Sequence, residues 1–309
     1  MRRLAACSLA LALLAGGCGL GEGDEERGGA TIRVTRDFGK QRVGTMRVRQ
    51  VREGDTVMRA LRSRFEVKTR FGGRFVQAID GVAGKGPEGR RDWFYFVNGS
   101  EASVGAAEYD LSPGDVVQWD YRRWDGAMRV PAIVGAFPEP FKGGLESKRL
   151  PVRVECDDAK SPPCREAKRR LRRAGIRASG ASLGTSGAEK VLRVVVARWP
   201  GARLVRATAA LEQGPGQSGV FARFAAGGGT RRLHLLGPNG EVVRQAPPGT
   251  GLVAALSPRE DQLIWLVTAL DRRGLMAAAR ALASRVLRDA YAVAATPRGP
   301  ESLPVGSGR

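Results

Sequence analysis

The sequence predicts an α+β protein with two domains, and three observations carry this prediction. Short runs that alternate apolar and polar residues, such as 32–34 and 117–121, are typical of half-buried strands. A few helical patterns lie between such runs in both halves. A Pro- and Gly-rich stretch, 127–149, separates the halves of the 309-residue chain, which is long enough for two domains.

In the first half, the patterns predict strands near 32–34 and 46–48, a short helix near 57–61, and strands near 75–79, 93–97 and 117–121. The run Trp93–Val97 is apolar on both faces, which indicates a central strand that is covered on each side. In 117–121, Gln118 and Asp120 alternate with apolar residues, so we expect one buried face and one face in water.

Three segments of this half carry a family resemblance: GDTVMRAL at 54–61, DWFYFVNG at 92–99 and GDVVQWDY at 114–121, with Tyr109-Asp110-Leu111 between the last two. Together they resemble the transcobalamin-like C-terminal domain. The resemblance implies a β-grasp-like fold, in which one helix packs across a twisted mixed sheet. It also implies that this domain covers cobalamin from one side. Nothing in the chain resembles the larger helical domain that completes the cobalamin site in the vertebrate proteins.

If the domain holds a flat corrinoid, the expected ligand-binding residues are Trp93, Tyr95, Asn98, Tyr109 and Trp119. Aromatic rings provide stacking area with little loss of entropy, and the Asn98 amide both donates and accepts hydrogen bonds. The alternative is structural, because aromatic residues at alternate positions of a strand are usually core. Asn98-Gly99 is also typical of a turn.

In the second half, the patterns predict strands near 152–154, 192–199, 221–224, 231–236, 241–244 and 263–270, and helices near 164–174, 203–212 and 272–293. This order favours a separate α+β domain with an antiparallel or mixed sheet. The domain boundaries that we expect are a leader at 1–18, a flexible tether at 19–30, the β-grasp-like domain at 31–126, a Pro/Gly linker at 127–149, a basic α+β domain at 150–295 and a disordered tail at 296–309.

The leader combines Arg2 and Arg3, an apolar run at 4–14 and small residues at 15–17, followed by Cys18. This layout is typical of a secretory signal, and a cysteine at the cleavage point resembles the lipobox of bacterial lipoproteins. We therefore expect Cys18 to carry the lipid (palmitate among its acyl chains) and the protein to lie outside the cytoplasm, anchored to the bacterial cell membrane. Ordinary secretion with cleavage nearby is the alternative.

The chain has a formal net charge of +20. We expect no nucleic-acid partner, because an exported protein rarely meets DNA. Along the predicted helix 164–174, one stripe is apolar and the rest is basic. The basic residues proposed to bind an anionic lipid or envelope polymer are Arg165, Lys168, Arg169, Arg172 and Arg173. The alternative is a charged helix face that contacts only water.

Cys156 and Cys164 are close in sequence, so in an oxidising compartment we expect a disulfide between them. A metal site is disfavoured because soft ligands are few and the single histidine, His234, is distant in sequence. Residues 180–184 match G-x-S-x-G, with Ser182 as the nucleophile and His234 as the single imidazole that could serve it. The preceding residues form a poor strand pattern, so a serine hydrolase is the least favoured hypothesis.

The sequence thus predicts a tethered, non-catalytic binding protein without a metal or catalytic cofactor. Its partners would be the membrane, through the anchor, and a corrinoid or a transport component. The alternative is a structural or adaptor lipoprotein that binds anionic envelope polymer or lipid through arginines.

Overall fold

The computed structural model describes residues 28–84, 89–145, 148–186, 190–227, 230–259 and 262–306. The predicted leader, including the lipidation site Cys18, and most of the tether lie outside these residues. The fold is α+β and contains more strand than helix.

The strands are β1 (Ala30–Arg36), β2 (Gln41–Val48), β3 (Val67–Arg70), β4 (Phe75–Ile79), β5 (Val82–Ala83), β6 (Arg91–Val97), β7 (Ser100–Glu101), β8 (Val116–Arg123), β9 (Val152–Cys156), β10 (Ala178–Ser182), β11 (Leu192–Arg198), β12 (Ala222–Gly227), β13 (Thr230–Leu236), β14 (Val242–Gln245), β15 (Gly251–Arg259), β16 (Gln262–Ala269), β17 (Ala292–Thr296) and β18 (Gly299–Leu303). The helices are α1 (Val57–Arg62), α2 (Pro162–Arg173), α3 (Trp199–Ala202), α4 (Pro215–Ser218), α5 (Arg272–Arg280) and α6 (Ser284–Leu287), with 3₁₀ helices at Phe71–Gly73 and Arg206–Glu212.

The first half forms a five-stranded mixed sheet in the order β2-β1-β8-β6-β7, in which β1 and β8 are parallel. Helix α1 begins where the Thr56 hydroxyl accepts a hydrogen bond from the backbone N–H of Arg59. Its apolar residues share a core with one face of this sheet, where Ile32 and Val117 are fully buried. A small antiparallel sheet, β3-β4-β5, adds to the same core through Val76 and Ile79.

The opposite face of this sheet is not in water, contrary to the expectation for Gln118 and Asp120. Both side chains are fully buried, as is Arg122 two residues further along β8. The second half packs on this face, and Phe38 contacts Tyr291 at 5.2 Å between ring centroids. An alternation of apolar and polar residues cannot distinguish a face in water from a face whose polar groups find buried partners.

The second half contains a seven-stranded mixed sheet in the order β10-β9-β11-β16-β15-β17-β18. Strands β9, β11 and β16 run parallel, and β15 turns the direction by pairing antiparallel with β16. Helices α2 and α5 cover one face, and the small sheet β12-β13-β14 packs near the other. Both faces are therefore buried, which explains the almost continuous apolar run in β16.

The stretch 127–149, predicted to be a linker, contributes to the core between the halves. Val130, Ile133 and Val134 are fully buried. Its described part also contains the Phe137 and Phe141 rings, which pack on Trp265 of β16. The segment therefore joins the two halves through apolar contacts rather than as a free spacer.

Two expectations for the C-terminal part were wrong. The helix predicted over 272–293 ends at Arg280, and the following residues form α6 and then β17. The tail beyond 296 is not disordered through its described part, because β18 pairs antiparallel with β17. Alanines are common both in α5 and in β17, so composition does not separate helix from strand here. Residues of β17 form a strand because they pair with β15.

Candidate functional site

The aromatic residues predicted to bind a flat ligand lie on the core side of the N-terminal sheet. Trp93 is 6% exposed and its indole N–H donates to the carbonyl of Val82 at 3.1 Å. Trp119 is 2% exposed. The Tyr95 ring stacks on the Trp119 ring with centroids 4.8 Å apart. The two indoles are thus core residues in this conformation.

Tyr95 and Tyr109 are only partly buried, and their rings meet edge to face at 6.5 Å. The Tyr95 hydroxyl donates to the carbonyl of Val104 at 2.5 Å, which fixes the ring next to the loop after β7. Burial raises the pKa of Tyr95 above its ordinary value. Of the predicted aromatic residues, these two offer ring surface to a ligand.

Asn98 is a turn residue in the structure. It has a positive φ of 53° and its side chain is 2% exposed. The amide nitrogen donates to Asp115 at 2.8 Å and to the carbonyl of Gly144 at 3.1 Å, and the amide oxygen accepts from the N–H of Val116. The side chain therefore links the β6–β7 turn to the start of β8 and to the stretch 127–149.

Sequence reasoning missed a buried polar cluster between the two halves, with Asp120 at its centre. The Asp120 carboxylate accepts hydrogen bonds from the Thr35 hydroxyl at 2.7 Å and from the Tyr291 hydroxyl at 3.0 Å. The backbone N–H groups of Phe38 and Gly39 donate to it at 2.9 and 3.0 Å. Burial raises the pKa of Asp120 above its ordinary value, against the opposing effect of these donors.

Arg122 lies on the same buried face and makes contact with the stretch 127–149. Its guanidinium lies 3.7 Å from the centroid of the Phe94 ring. It donates to the carbonyls of Ala127 at 2.9 Å and Met128 at 3.0 Å. These bonds hold the chain that leaves the N-terminal sheet against that sheet.

A second polar group at this interface is Asp289, which follows α6 and has a positive φ of 63°. Its carboxylate forms ion pairs with Arg33 at 3.3 Å and Arg42 at 3.1 Å. Its carbonyl accepts from the Gln118 amide at 2.9 Å. No motif in the sequence marks these residues, because their partners are more than 150 positions away.

The disulfide predicted between Cys156 and Cys164 is present, with a Cα–Cα distance of 6.2 Å. It joins the end of β9 to the first turn of α2, where the Ser161 hydroxyl accepts from the N–H of Cys164. The apolar stripe predicted for this helix is also confirmed, since Cys164, Ala167 and Leu171 are fully buried.

The basic residues of α2 lie around that stripe. Arg165, Arg169, Arg172 and Arg173 are exposed, and Lys168 is partly buried beside Gly180 of β10. Arg169 pairs with Glu166, and Arg165 donates to the carbonyl of Lys160. Together the five residues Arg165, Lys168, Arg169, Arg172 and Arg173 form a cationic surface, which we call the α2 basic face.

The G-x-S-x-G segment does not form a strand–turn–helix elbow. Ser182 is the last residue of β10, at the edge of the seven-stranded sheet, whereas His234 lies in β13 of a different sheet. Gly184 has a positive φ of 79°, and its N–H donates to the buried Glu155 carboxylate at 2.9 Å. Burial and the charges of Arg223 and Arg232 lower the pKa of His234.

Within the described ranges, no group of three or more His, Cys, Asp or Glu side chains lies close enough to hold a metal ion. None of the helices in this part of the chain has the length and apolar character needed to cross a bilayer. A surface cavity of about 490 Å³ lies beside α6 and β18, and none of the residues predicted from the sequence lines it.

Comparison with known proteins gives a match to a family model and likenesses to several solved structures. The model of a domain of unknown function, DUF4430, matches residues 54–123. A crystal structure of a candidate metal-binding protein from Ruminococcus gnavus is similar at 15% identity and a TM-score of 0.26, covering 31% of this chain and 97% of that one. No curated protein matches the chain.

Proposed function

We propose that this chain is a lipid-anchored, non-catalytic binding protein on the outer side of a bacterial membrane, where it binds an anionic envelope polymer. The disulfide between Cys156 and Cys164 is consistent with an extracytoplasmic location. The leader ending at Cys18 supports acylation of that cysteine, and the short stretch after it would act as a tether.

The N-terminal domain in this proposal is a β-grasp domain of the transcobalamin-like kind. The DUF4430 match overlaps the segments that carry the resemblance. The mixed order β2-β1-β8-β6, with β1 parallel to β8 and α1 on one face, is compatible with that arrangement. The domain would act as a rigid body, because the buried Asp120 cluster fastens it to the second half.

The observation that carries the polymer hypothesis is the α2 basic face. The apolar stripe of α2 packs in the core, and the arginines around it are exposed to solvent, where a ligand can contact them. Arg172 and Arg173 lie in the last turn, and the two are exposed. Guanidinium groups bind phosphate oxygens well because their N–H groups form a planar fork. A chain of phosphates, as in teichoic-type polymers, would place several anions along such a surface.

Binding of purified phosphate polymer to the chain from Gly19 to Arg309 tests this hypothesis. We expect the double variant Arg172→Gln/Arg173→Gln to weaken binding several-fold and to reduce its dependence on salt, because exposed charges are screened. The variant Arg47→Gln/Arg49→Gln lowers the net charge equally, at two exposed positions on and just after β2, and serves as the control. Equal losses in both variants would indicate attraction by net charge alone.

Anchoring has its own test. We expect the full-length protein to incorporate labelled palmitate and to sediment with membranes. The variant Cys18→Ala should lose the label and appear in the soluble extracytoplasmic fraction. Retention of the label in that variant would contradict acylation at Cys18.

A corrinoid is the second candidate ligand, and the partly exposed pair Tyr95 and Tyr109 favours it. A flat ring could stack on Tyr109 at the loop after β7, and a bound corrinoid would then pass to a transport component. Titration with cobalamin should change its visible absorbance, and Tyr109→Ala should weaken that change. An unchanged spectrum at saturating protein concentration would remove this candidate.

A further inference from the structure

We propose that the turn between β3 and β4 inserts into an anionic lipid surface and so orients the protein on the membrane. The turn comprises residues 70–75, Arg-Phe-Gly-Gly-Arg-Phe, which we call the hairpin tip. This inference rests on the proposed function in one respect: the lipid anchor brings the membrane within reach of the hairpin tip.

The hairpin tip exposes large apolar side chains to solvent. Phe71 is 79% exposed and Phe75 is 38% exposed. A Cβ built on Gly72 or Gly73 would meet nothing within 4 Å, so the tip projects into open space. Phe71 itself has a positive φ of 52°, which a bulky residue rarely adopts. The turn thus holds an aromatic ring away from the core that could otherwise bury it.

Several arginines belong to the hairpin or contact it. Arg70 and Arg74 flank it in sequence, and the Arg74 side chain is 80% exposed. Arg62 reaches the same hairpin, where it donates to the Thr69 hydroxyl at 3.2 Å. Two acidic side chains also face the hairpin: Glu108 lies 3.9 Å from Arg74 and Glu66 lies 3.4 Å from Lys68. Arginines beside an exposed aromatic ring are typical of segments that enter the headgroup layer of anionic membranes.

A series of backbone contacts and short chain segments links the start of the described chain, where the tether enters, to the hairpin tip. The Gly28 carbonyl accepts from the N–H of Val51, which lies in the loop between β2 and α1, four residues before Asp55. The Asp55 carbonyl accepts from the N–H of Leu111 at 2.8 Å, at the end of the loop that begins near Gly105. A Cβ on Gly105 would lie 3.8 Å from the Arg74 carbonyl. These contacts connect the tether to the tip through the loops 49–55 and 105–111.

The tether length makes contact with the membrane feasible. Nine residues, 19–27, lie between Cys18 and the first described position, Gly28, and the ten Cα–Cα steps span at most about 35 Å when extended. A domain held so close to the bilayer meets it often, and one further contact is enough to set its orientation. Val104, which is 43% exposed and precedes Gly105, extends the apolar surface of the tip.

A lipid surface fits this tip better than a soluble polyanion does. A phosphate polymer would satisfy the arginines but would leave Phe71 in water. A bilayer offers anionic headgroups to the arginines and an apolar layer to the ring. The α2 basic face differs in this respect, because it exposes no large apolar side chain.

Vesicle binding by the unacylated chain from Gly19 to Arg309, which contains every described residue, tests the proposal. We expect it to co-sediment with phosphatidylglycerol/phosphatidylcholine vesicles and to remain free with phosphatidylcholine alone. The variant Phe71→Ser should bind about tenfold more weakly because the inserted ring is lost. The variant Arg70→Gln/Arg74→Gln should also bind more weakly and depend less on salt.

The matched control for Phe71→Ser is Leu204→Ser in the second half, since Leu204 is 77% exposed. It should bind like the parent chain. Insertion has a direct readout in Phe71→Trp, whose added fluorescence should be quenched by brominated lipids, whereas that of Leu204→Trp should not. Failure of the parent chain to bind anionic vesicles would overturn the proposal.

Two other outcomes would also overturn it. One is unchanged binding of Phe71→Ser, and the other is loss of vesicle binding in Arg172→Gln/Arg173→Gln alone, which would make the α2 basic face the membrane surface. Palmitate labelling at Cys18 is independent of all these results, so failure of the tip and failure of the anchor are distinguishable.

Discussion

Two buried carboxylates, one in each half, show how differently the two regions of this protein satisfy a polar group. Asp120, between the halves, accepts hydrogen bonds from neutral donors on four residues. Glu155, on β9 of the second sheet, forms a two-bond pair with Arg193 at 2.6 and 2.8 Å. Burial opposes ionisation of both groups, but only Glu155 has a hydrogen-bonded cation.

The pKa values of the two groups consequently shift in opposite directions. Burial raises the pKa of Asp120. For Glu155 burial acts in the same sense, but hydrogen bonds from Arg193 and Gly184 outweigh it and hold the pKa below its ordinary value. Asp120 is the more deeply buried of the two and has no hydrogen-bonded cation, whereas Arg193 bonds directly to Glu155, so burial and partner together set the direction of each pKa shift.

The largest effect is expected for Asp120→Ala. The substitution leaves two backbone N–H groups and the hydroxyls of Thr35 and Tyr291 without their acceptor, so the free energy of unfolding should fall by about 4 kcal/mol. Urea unfolding measures this change. The control Glu108→Ala removes a carboxylate that is 56% exposed and should change stability by less than about 0.5 kcal/mol. A loss below about 1 kcal/mol for Asp120→Ala would show that the cluster does not fasten the halves.

Breaking the ion pair between Glu155 and Arg193 should have a slightly smaller effect on stability. Arg193→Met leaves the Glu155 carboxylate buried without its cation, which should lower the free energy of unfolding by about 3 kcal/mol. The double variant Glu155→Leu/Arg193→Met removes both charges and should recover most of that loss. Equal instability of the single and double variants would mean that packing, not charge, explains the effect.

Removal of the disulfide tests how much the covalent link next to Glu155 contributes to stability. Cys156 follows Glu155 on β9, and its bond to Cys164 closes a small loop. Replacement of both by serine should lower the free energy of unfolding by about 2–3 kcal/mol, because the unfolded chain gains freedom. Dithiothreitol should destabilise the parent chain similarly and leave the double variant unchanged. Insensitivity of the parent chain to the reductant would contradict this prediction.

The smallest effects are the pH dependences, which should have opposite signs. A raised folded-state pKa for Asp120 means that stability declines as pH rises above the unfolded value of about 3.9. A lowered pKa for Glu155 means that its contribution is present above about pH 4.3 and is lost as pH falls below it.

Each slope should stay below about 1.4 kcal/mol per pH unit. The free energy of unfolding is measured as a function of pH for the parent chain, Asp120→Asn and Glu155→Gln. The difference between the parent and each variant gives the contribution of that carboxylate. Slopes of the same sign would refute the assignment of opposite shifts.

The sequence predicted most strands well but not how the faces are covered. Strands β6 and β16 were predicted because their apolar runs need two buried faces. The face of β8 with Gln118 and Asp120 was predicted to lie in water, but it is buried. The prediction was wrong because a face in water and a face with buried polar partners show the same alternation of apolar and polar residues. The proposed ligand aromatics were identifiable as residues, but the burial of Trp93 and Trp119 depends on what packs against the sheet.

Local sequence by itself determined the elements whose cause is local: the short helix α1, the apolar stripe of α2, the disulfide between cysteines eight positions apart, and the central strands. Tertiary structure alone decided the pairing of Asp120 with Tyr291, the burial of the stretch 127–149 and the exposure of Phe71. The physical reason is the distance along the chain over which each interaction acts. Capping, amphipathicity and loop closure act over a few residues, whereas a buried polar group depends on donors that only the folded chain brings near.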